Sequence, residues 1–216
     1  MIASGLAPCL RFIALGAEAM RSAAVPTLRM RLAIETDDAR SIRGVALSVQ
    51  VAIAAERRRY DAAETERLGE LFGSPEQWSR SLGTVLWTRA TVNVPAFERR
   101  TAVDVALPCS YDFEVAAAKY LAALADGEIP VALQFSGNIF YDDGGRLQIA
   151  MIPWDAEASL RIPLALWYEA VDAAFPDSAW LRVRRETFGR LQAYRSRGAF
   201  VDWDAMFASL LGAERA

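Results

Sequence analysis

The chain predicts an α+β protein: a mostly antiparallel, sandwich-like sheet region followed by a C-terminal helical region. Two observations carry that expectation. Over the first two thirds of the 216 residues, segments recur in which every second side chain is apolar, the period of a strand with one face buried. The last third instead spaces its apolar residues as a helix does, between residues that start and stop helices. Strands that follow one another without regular helical crossovers argue against a doubly wound parallel sheet.

The elements can be justified in order. Leu6-Ala7-Pro8-Cys9 has the outline of a lipoprotein cleavage box, but no basic residue precedes it and Arg11 follows, so a leader into a strand is expected. In Leu28 to Ile34, Leu28, Met30, Leu32 and Ile34 take one face, and Arg29 and Arg31 the other. Val45, Leu47, Val49, Val51 and Ile53 repeat the period, and the small residues between them imply partial cover of the second face. Asp61 to Phe72 has helix composition, with Glu64, Glu66 and Arg67 expected outside and Leu68, Leu71 and Phe72 inside. Strands follow at Thr84 to Val94, Thr101 to Leu107, Val131 to Phe140 and Leu147 to Ile152.

A hairpin joins the last two, because Asp142-Asp143-Gly144-Gly145 is a turn sequence whose glycines supply positive φ. Its aspartates lack the further oxygen ligands of a calcium loop and are expected to be solvated. Ser136-Gly137-Asn138 reads as a bulge or a close-packed spot inside a strand. Asp112 to Leu124 is a helix capped by Ser110 or Asp112, with Phe113, Ala116, Ala117, Tyr120, Leu121 and Leu124 at helical spacing. Pro163 opens a helix whose stripe is Leu164, Trp167, Tyr168, Val171 and Phe175, before Pro176. Arg184 to Arg197 turns Phe188, Leu191 and Tyr194 inward and ends at Gly198, and Asp202 caps a last helix from Trp203 to Leu211. No repeat or long linker breaks the chain. One domain is expected over residues 1–216, with a β-rich part near 10–153, helices near 61–72 and 112–124, and a helical part near 159–212; a boundary near Pro153 is the alternative.

Composition narrows the chemistry. The chain has no histidine and two cysteines, Cys9 and Cys109, one hundred positions apart. That removes the usual imidazole base of Ser-His-Asp or Cys-His catalysis and the imidazole ligands of zinc, haem or iron sites. No phosphate-cradling glycine loop and no G-x-S-x-G elbow is present. Neither a cofactor nor a metal is implied. The net charge is -3, and Lys119 is the only lysine among 24 basic residues, which reads as the codon bias of a GC-rich genome. No basic tract lies beside stacking aromatics, so nucleic acid is not an expected partner. No run reaches the ~20 apolar residues that span a bilayer, so a cytoplasmic protein with reduced thiols is expected.

Two groups of residues remain as candidate sites. Trp78, Trp154 and Trp180 fall in segments that read as loops, where exposed aromatics anchor protein contacts, and Arg182, Arg184 and Arg185 would give Trp180 a cationic rim. Cys109, Tyr111, Asp112 and Glu114 belong to the densest polar and aromatic cluster in the chain. They read either as a cap and packing corner or as the lip of a pocket, with a thiol activated at a helix N-terminus. Asp155 with Glu157, and Asp112 with Glu114, are carboxylate pairs, but a spacing of two does not aim both along one helix face.

The run Leu107-Pro108-Cys109-Ser110-Tyr111-Asp112-Phe113-Glu114, with Gly127-Glu128-Ile129-Pro130, Phe135-Ser136-Gly137, Pro153-Trp154 and Trp180-Leu181-Arg182-Val183-Arg184-Arg185, resembles a family of uncharacterised bacterial proteins often encoded beside nickel-iron hydrogenase genes. The resemblance covers about residues 26–212. It implies an accessory role in making, assembling or docking a hydrogenase, and it supplies no catalytic residues. Separately, Ser196 to Phe207 is similar to the closing segments of SecB-like export chaperones.

The expected function is therefore that of a non-catalytic accessory or adaptor protein that binds another protein, a hydrogenase subunit or maturation factor. The alternatives are an enzyme or small-ligand binder with a pocket at Cys109 to Glu114, and a client-holding chaperone.

Overall fold

The computed structural model describes residues 7–109, 115–176 and 183–213. Contacts divide the chain into two compact units, Met1–Ala179 and Trp180–Ala216. The first holds strands β1 (Arg11–Ala19), β2 (Thr27–Glu35), β3 (Ile42–Ala54), β4 (Thr84–Val94), β5 (Arg100–Pro108), β6 (Glu128–Asp143), β7 (Arg146–Met151) and β8 (Glu157–Pro163). Its helices are α1 (Ala62–Phe72), α2 (Trp78–Ser81), α3 (Ala116–Ala123) and α4 (Leu164–Ala174); the second unit holds α5 (Arg185–Arg197) and α6 (Trp203–Ala213). This is an α+β fold with its helices weighted toward the C-terminus.

The strands form two sheets, one ordered β1-β2-β5 and the other β4-β3-β6-β7, with β8 also on β6, and every pairing is antiparallel. Alternation places their faces as expected. Leu28, Met30, Leu32 and Ile34 are wholly buried on β2, while Arg29 and Arg31 face solvent and pair with Glu18 and with Asp104. On β3, Val45, Leu47, Val49, Val51 and Ile53 are buried. At its far end Ala52 and Ala54 are buried as well, which is the partial cover their small size implied. Between the sheets, Phe12 of β1 stacks on Phe135 of β6 with ring centroids 4.2 Å apart.

Helix α1 begins with a capping box: Asp61 accepts from the Glu64 amide at 2.7 Å, and the Glu64 carboxylate accepts from the Asp61 amide at 3.3 Å. Glu64 was expected outside, and it is instead buried. Its other oxygen accepts from Arg58 Nη2 at 2.7 Å and from the Ala125 amide at 3.0 Å. Arg58 also donates to the carbonyls of Asp126, at 2.5 Å, and Glu128, at 2.8 Å. A buried charge survives when it is paired; Arg58 Nε is left buried without a bond, but its two Nη atoms and the Glu64 carboxylate tie the segment after β3, the start of α1 and the entry to β6 together.

Trp78 also departs from expectation. Pro75 starts a 3-10 turn that leads into α2, so the segment is not a loop. Trp78 packs edge-on against Tyr60 and Phe72, and its indole N–H donates to the Gly73 carbonyl at 3.0 Å. Beneath it, the Tyr60 hydroxyl donates to the Ala55 carbonyl at 2.6 Å and lies 2.8 Å from the buried Tyr120 hydroxyl.

Helix α3 starts at Ala116, and its N-cap, Val115, makes no side-chain bond; Ser110 and Asp112, the expected caps, lie outside the described residues. Leu164, Trp167 and Val171 of α4 are buried as the stripe predicts, but Tyr168 stays partly exposed. No break falls at Pro153, since β7 and β8 on either side of it both pair with β6. Among the described residues no helix is long and apolar enough to cross a membrane.

In the second unit, Asp202 caps α6 by accepting from the Ala205 amide at 2.7 Å, as expected. Within this unit the two helices leave Phe188 and Tyr194 of α5 and Leu211 of α6 uncovered. Phe188 and Trp203 make a tilted ring contact at 5.5 Å, and Arg195 lies over Trp203.

Candidate protein-contact surface

Strand β6 carries β3 along one side and both β7 and β8, end to end, along the other. The turn to β7 is Gly144-Gly145, with φ of 60° and 80°, the doubly positive conformation that a two-residue hairpin needs and that glycine adopts without strain. Asp142 braces it by accepting from the Gly145 amide at 2.8 Å and from Arg43 at 2.9 Å. The Arg43 hydrogen bond also holds the Asp142 carboxyl below its ordinary range.

Past β7 the register breaks. Met151 lies opposite Asn138 and Glu157 opposite Gln134, so residues 152–156 stand against 135–137, five residues against three. The surplus loops out as a bulge. It is pinned by the Ile152 amide donating to Gly137 at 3.0 Å and the Phe135 amide donating to Ala156 at 2.9 Å. Trp154 stands on this bulge, 92% exposed.

Beside it, the outward face of β7 presents Leu147, Ile149 and Met151, which are 63%, 62% and 79% exposed. The opposite face carries Gln148, itself exposed, Ala150, half-buried, and the buried Ile152. On the same outer surface Phe140 of β6 lies opposite Ile149 and is half-buried, whereas farther along the sheet Gln50 of β3 bonds Gln134 of β6 at 3.0 Å and accepts from Arg89 of β4 at 3.0 Å. Burying a side chain of this size is worth about 1.5–3 kcal/mol, so a partner that covered three of them and Trp154 would gain several times thermal energy.

The margin is open in its backbone as well. A two-residue turn makes Asp143 and Arg146 a hydrogen-bonded pair, and antiparallel bonding then alternates. Ile152, which donates to Gly137, keeps the same phase. The N–H and C=O groups of Leu147, Ile149 and Met151 therefore point away from β6, and β6 is the only described strand that β7 pairs with.

Of the residues singled out from the sequence, Trp154 is exposed as expected and Trp78 is packed. Trp180 and Arg182 lie outside the described residues. Arg184 and Arg185 are exposed at the start of α5 in the second unit. Cys109 is buried and follows β5 directly, and burial pushes its thiol up to about 12. An activated thiol needs the opposite environment, so the reactive-cysteine reading is corrected. Tyr111, Asp112 and Glu114, the rest of the expected pocket lip, lie outside the described residues. Both cysteines are free, Cys9 exposed and Cys109 buried.

The stripe on β7 escaped sequence reading for a physical reason. Alternation located a strand there, but it assigns the apolar side inward by default, and here the apolar side faces out. Gln148 on the opposite face was the one available signal.

Elsewhere the surface offers shallow, charge-paired depressions. One of about 490 Å³ is bounded by Glu18, Arg29, Arg31 and Asp104, and another of about 750 Å³ by Arg21, Tyr168, Glu169 and Asp172. In both, the cations already bond the carboxylates. Among the described residues, no three Cys, Asp or Glu side chains gather as a ligand set for a metal ion.

These features define a two-sheet α+β protein with an open, apolar margin at β7. The chain belongs to a family of unknown function, DUF6084, whose profile matches residues 7–216. No curated protein matches it. A solved structure, the crystal structure of Se-Met labelled beta-glucosidase from Kluyveromyces marxianus, is similar over 74% of this chain at 10% identity and a TM-score of 0.25. The chain spans 16% of that structure's length, and a superposition so loose carries no argument.

Proposed function

We propose that this is a non-catalytic accessory or adaptor protein that binds another protein through the β7 margin, and that the partner is a hydrogenase subunit or maturation factor. The observation that carries the binding role is the clustering of Leu147, Ile149, Met151 and Trp154, each more than 60% exposed, along the β7 margin of the sheet. The identity of the partner rests on the resemblance of the segments around Cys109, Gly127, Phe135, Pro153 and Trp180 to proteins encoded beside nickel-iron hydrogenase genes.

The test is affinity capture from the native host with the wild-type chain and with a Met151→Asp, Trp154→Ser variant. Recovery of a hydrogenase component by the wild type and its loss in the variant are the expected results. Absence of any hydrogenase component would overturn the partner's identity, and undiminished capture by the variant would overturn the surface.

A further inference from the structure

We infer that β7 binds by strand addition: an extended segment of the partner joins the open edge antiparallel to β7, apolar at alternate positions, basic at its start and acidic at its end. This inference rests on the adaptor reading of the same surface and specifies its mode. Three observations carry it.

The first is that side chains and backbone agree. Leu147, Ile149 and Met151 supply both the exposed apolar stripe and the outward N–H and C=O groups. An added strand would satisfy those groups while its own alternate side chains cover the stripe.

The second is size. Pro153 has no N–H to offer and falls where the bulge begins, so the free edge runs from Arg146 to Ile152, roughly 20 Å at strand rise. Stable protein dimers bury about 800 Å² per partner, more than so short an edge supplies. The edge is scaled to a linear segment.

The third is charge. Arg146 at one end, and Asp155 and Glu157 at the other, are exposed and make no ion pair among the described residues. A segment running antiparallel to β7 begins beside Asp155 and Glu157 and ends beside Arg146.

The probe is a labelled heptapeptide, Lys-Val-Thr-Val-Thr-Val-Glu, compared with its charge-exchanged form, Glu-Val-Thr-Val-Thr-Val-Lys, by fluorescence anisotropy. Amide exchange is followed at Leu147, Ile149 and Met151. The first peptide should bind more tightly and protect all three amides. Ile149→Pro removes an outward donor without touching the bonds to β6 and should weaken binding about tenfold.

Equal binding of the two peptides, no protection of the three amides, or unchanged affinity in Ile149→Pro would each overturn the inference. So would a wild-type chain that self-associates through β7. If Ile149→Pro fails to fold, the exchange pattern of the wild type decides alone. Native capture lost in Met151→Asp but kept in Ile149→Pro would sink strand addition and leave the adaptor reading standing. Peptide binding with no hydrogenase component captured would overturn the partner's identity and leave strand addition standing.

Discussion

The carbonyl oxygen of Ala46 on β3 occupies the place that a Cβ on Gly137 of β6 would need, only 1.9 Å from it. Gly137 also sits at φ +135°, a conformation that side chains with a Cβ rarely adopt. The strand spot singled out in the sequence is therefore a close backbone approach that only glycine permits. Gly137→Ala should destabilise the protein by about 2–5 kcal/mol, combining overpacking with backbone strain. The midpoint of urea denaturation measures it, and an unchanged midpoint would contradict this packing.

The Arg58–Glu64 pair is nearly withdrawn from solvent, with side-chain exposures of 11% and 5%. Removing one member strands the other charge. Glu64→Ala is expected to cost about 3–5 kcal/mol, whereas replacing both together, Arg58→Met with Glu64→Leu, should recover most of that loss. A double-mutant cycle in urea gives the coupling, and additive losses would show that the two ions act independently.

Thiol reactivity should divide the two cysteines. A disulfide-exchange reagent is expected to titrate Cys9 in the native protein and Cys109 only after unfolding, because one is exposed and the other buried. Reaction of both at the same native rate would contradict the burial of Cys109.

The same burial sets a pH dependence. An unfolded thiol ionises near ~8.5, while Cys109 in the fold is pushed up to about 12 by desolvation. The folded pKa is raised, so this contribution is complete below the unfolded value and is lost as pH climbs through the folded one. Burial lifts Tyr60 and Tyr120 in the same direction. At the acid end the sign reverses: hydrogen bonds from Arg40 draw Asp38 down to about 2, so its contribution is present above ~3.9 and fades as pH falls toward 2. Urea midpoints should therefore decline at both extremes, with tyrosinate absorbance from the buried Tyr120 emerging together with unfolding.

Tryptophan substitutions should separate surface from core. Trp154→Ser, at a 92% exposed site, is expected to shift stability by no more than ~0.5 kcal/mol. Trp167→Ala, at a 2% exposed site, should cost about 3–5 kcal/mol. A large loss from Trp154→Ser, read by thermal melting, would mean that the bulge is packed.

Legibility tracked how local each signal is. Strands β2 and β3 declare themselves because every second residue is apolar, and the Asp142 to Gly145 turn because glycine alone suits its dihedrals. Strand β1 does not, since a register shift between Ala14 and Gly16 and an alanine-rich sequence blur its period. Strand β8 is masked by the bulge that precedes it. Glu64 goes inward only because Arg58 and the Ala125 amide meet it there, partners that no local pattern reveals. Trp78 resembles a loop residue by its glycine and proline neighbours, and its true environment depends on Tyr60 and Phe72. Of the candidate site, Trp154 was legible by its flanking proline, but the outward turn of Leu147, Ile149 and Met151 is a property of the assembled sheet.

The central position of β6 has a consequence for biosynthesis. Synthesis runs from the N-terminus, and β6, the strand on which β3, β7 and β8 all assemble, begins only at Glu128. A ribosome-bound chain that has emerged no further than α3 can form the antiparallel β3–β4 pair, but it leaves the other flank of β3 without its ladder. Such late, sequence-distant closure is slow and exposes sticky strand margins meanwhile, so the period of greatest aggregation hazard for this protein falls during translation and lasts until β7 and β8, which line the other flank of β6, have followed it out of the exit tunnel.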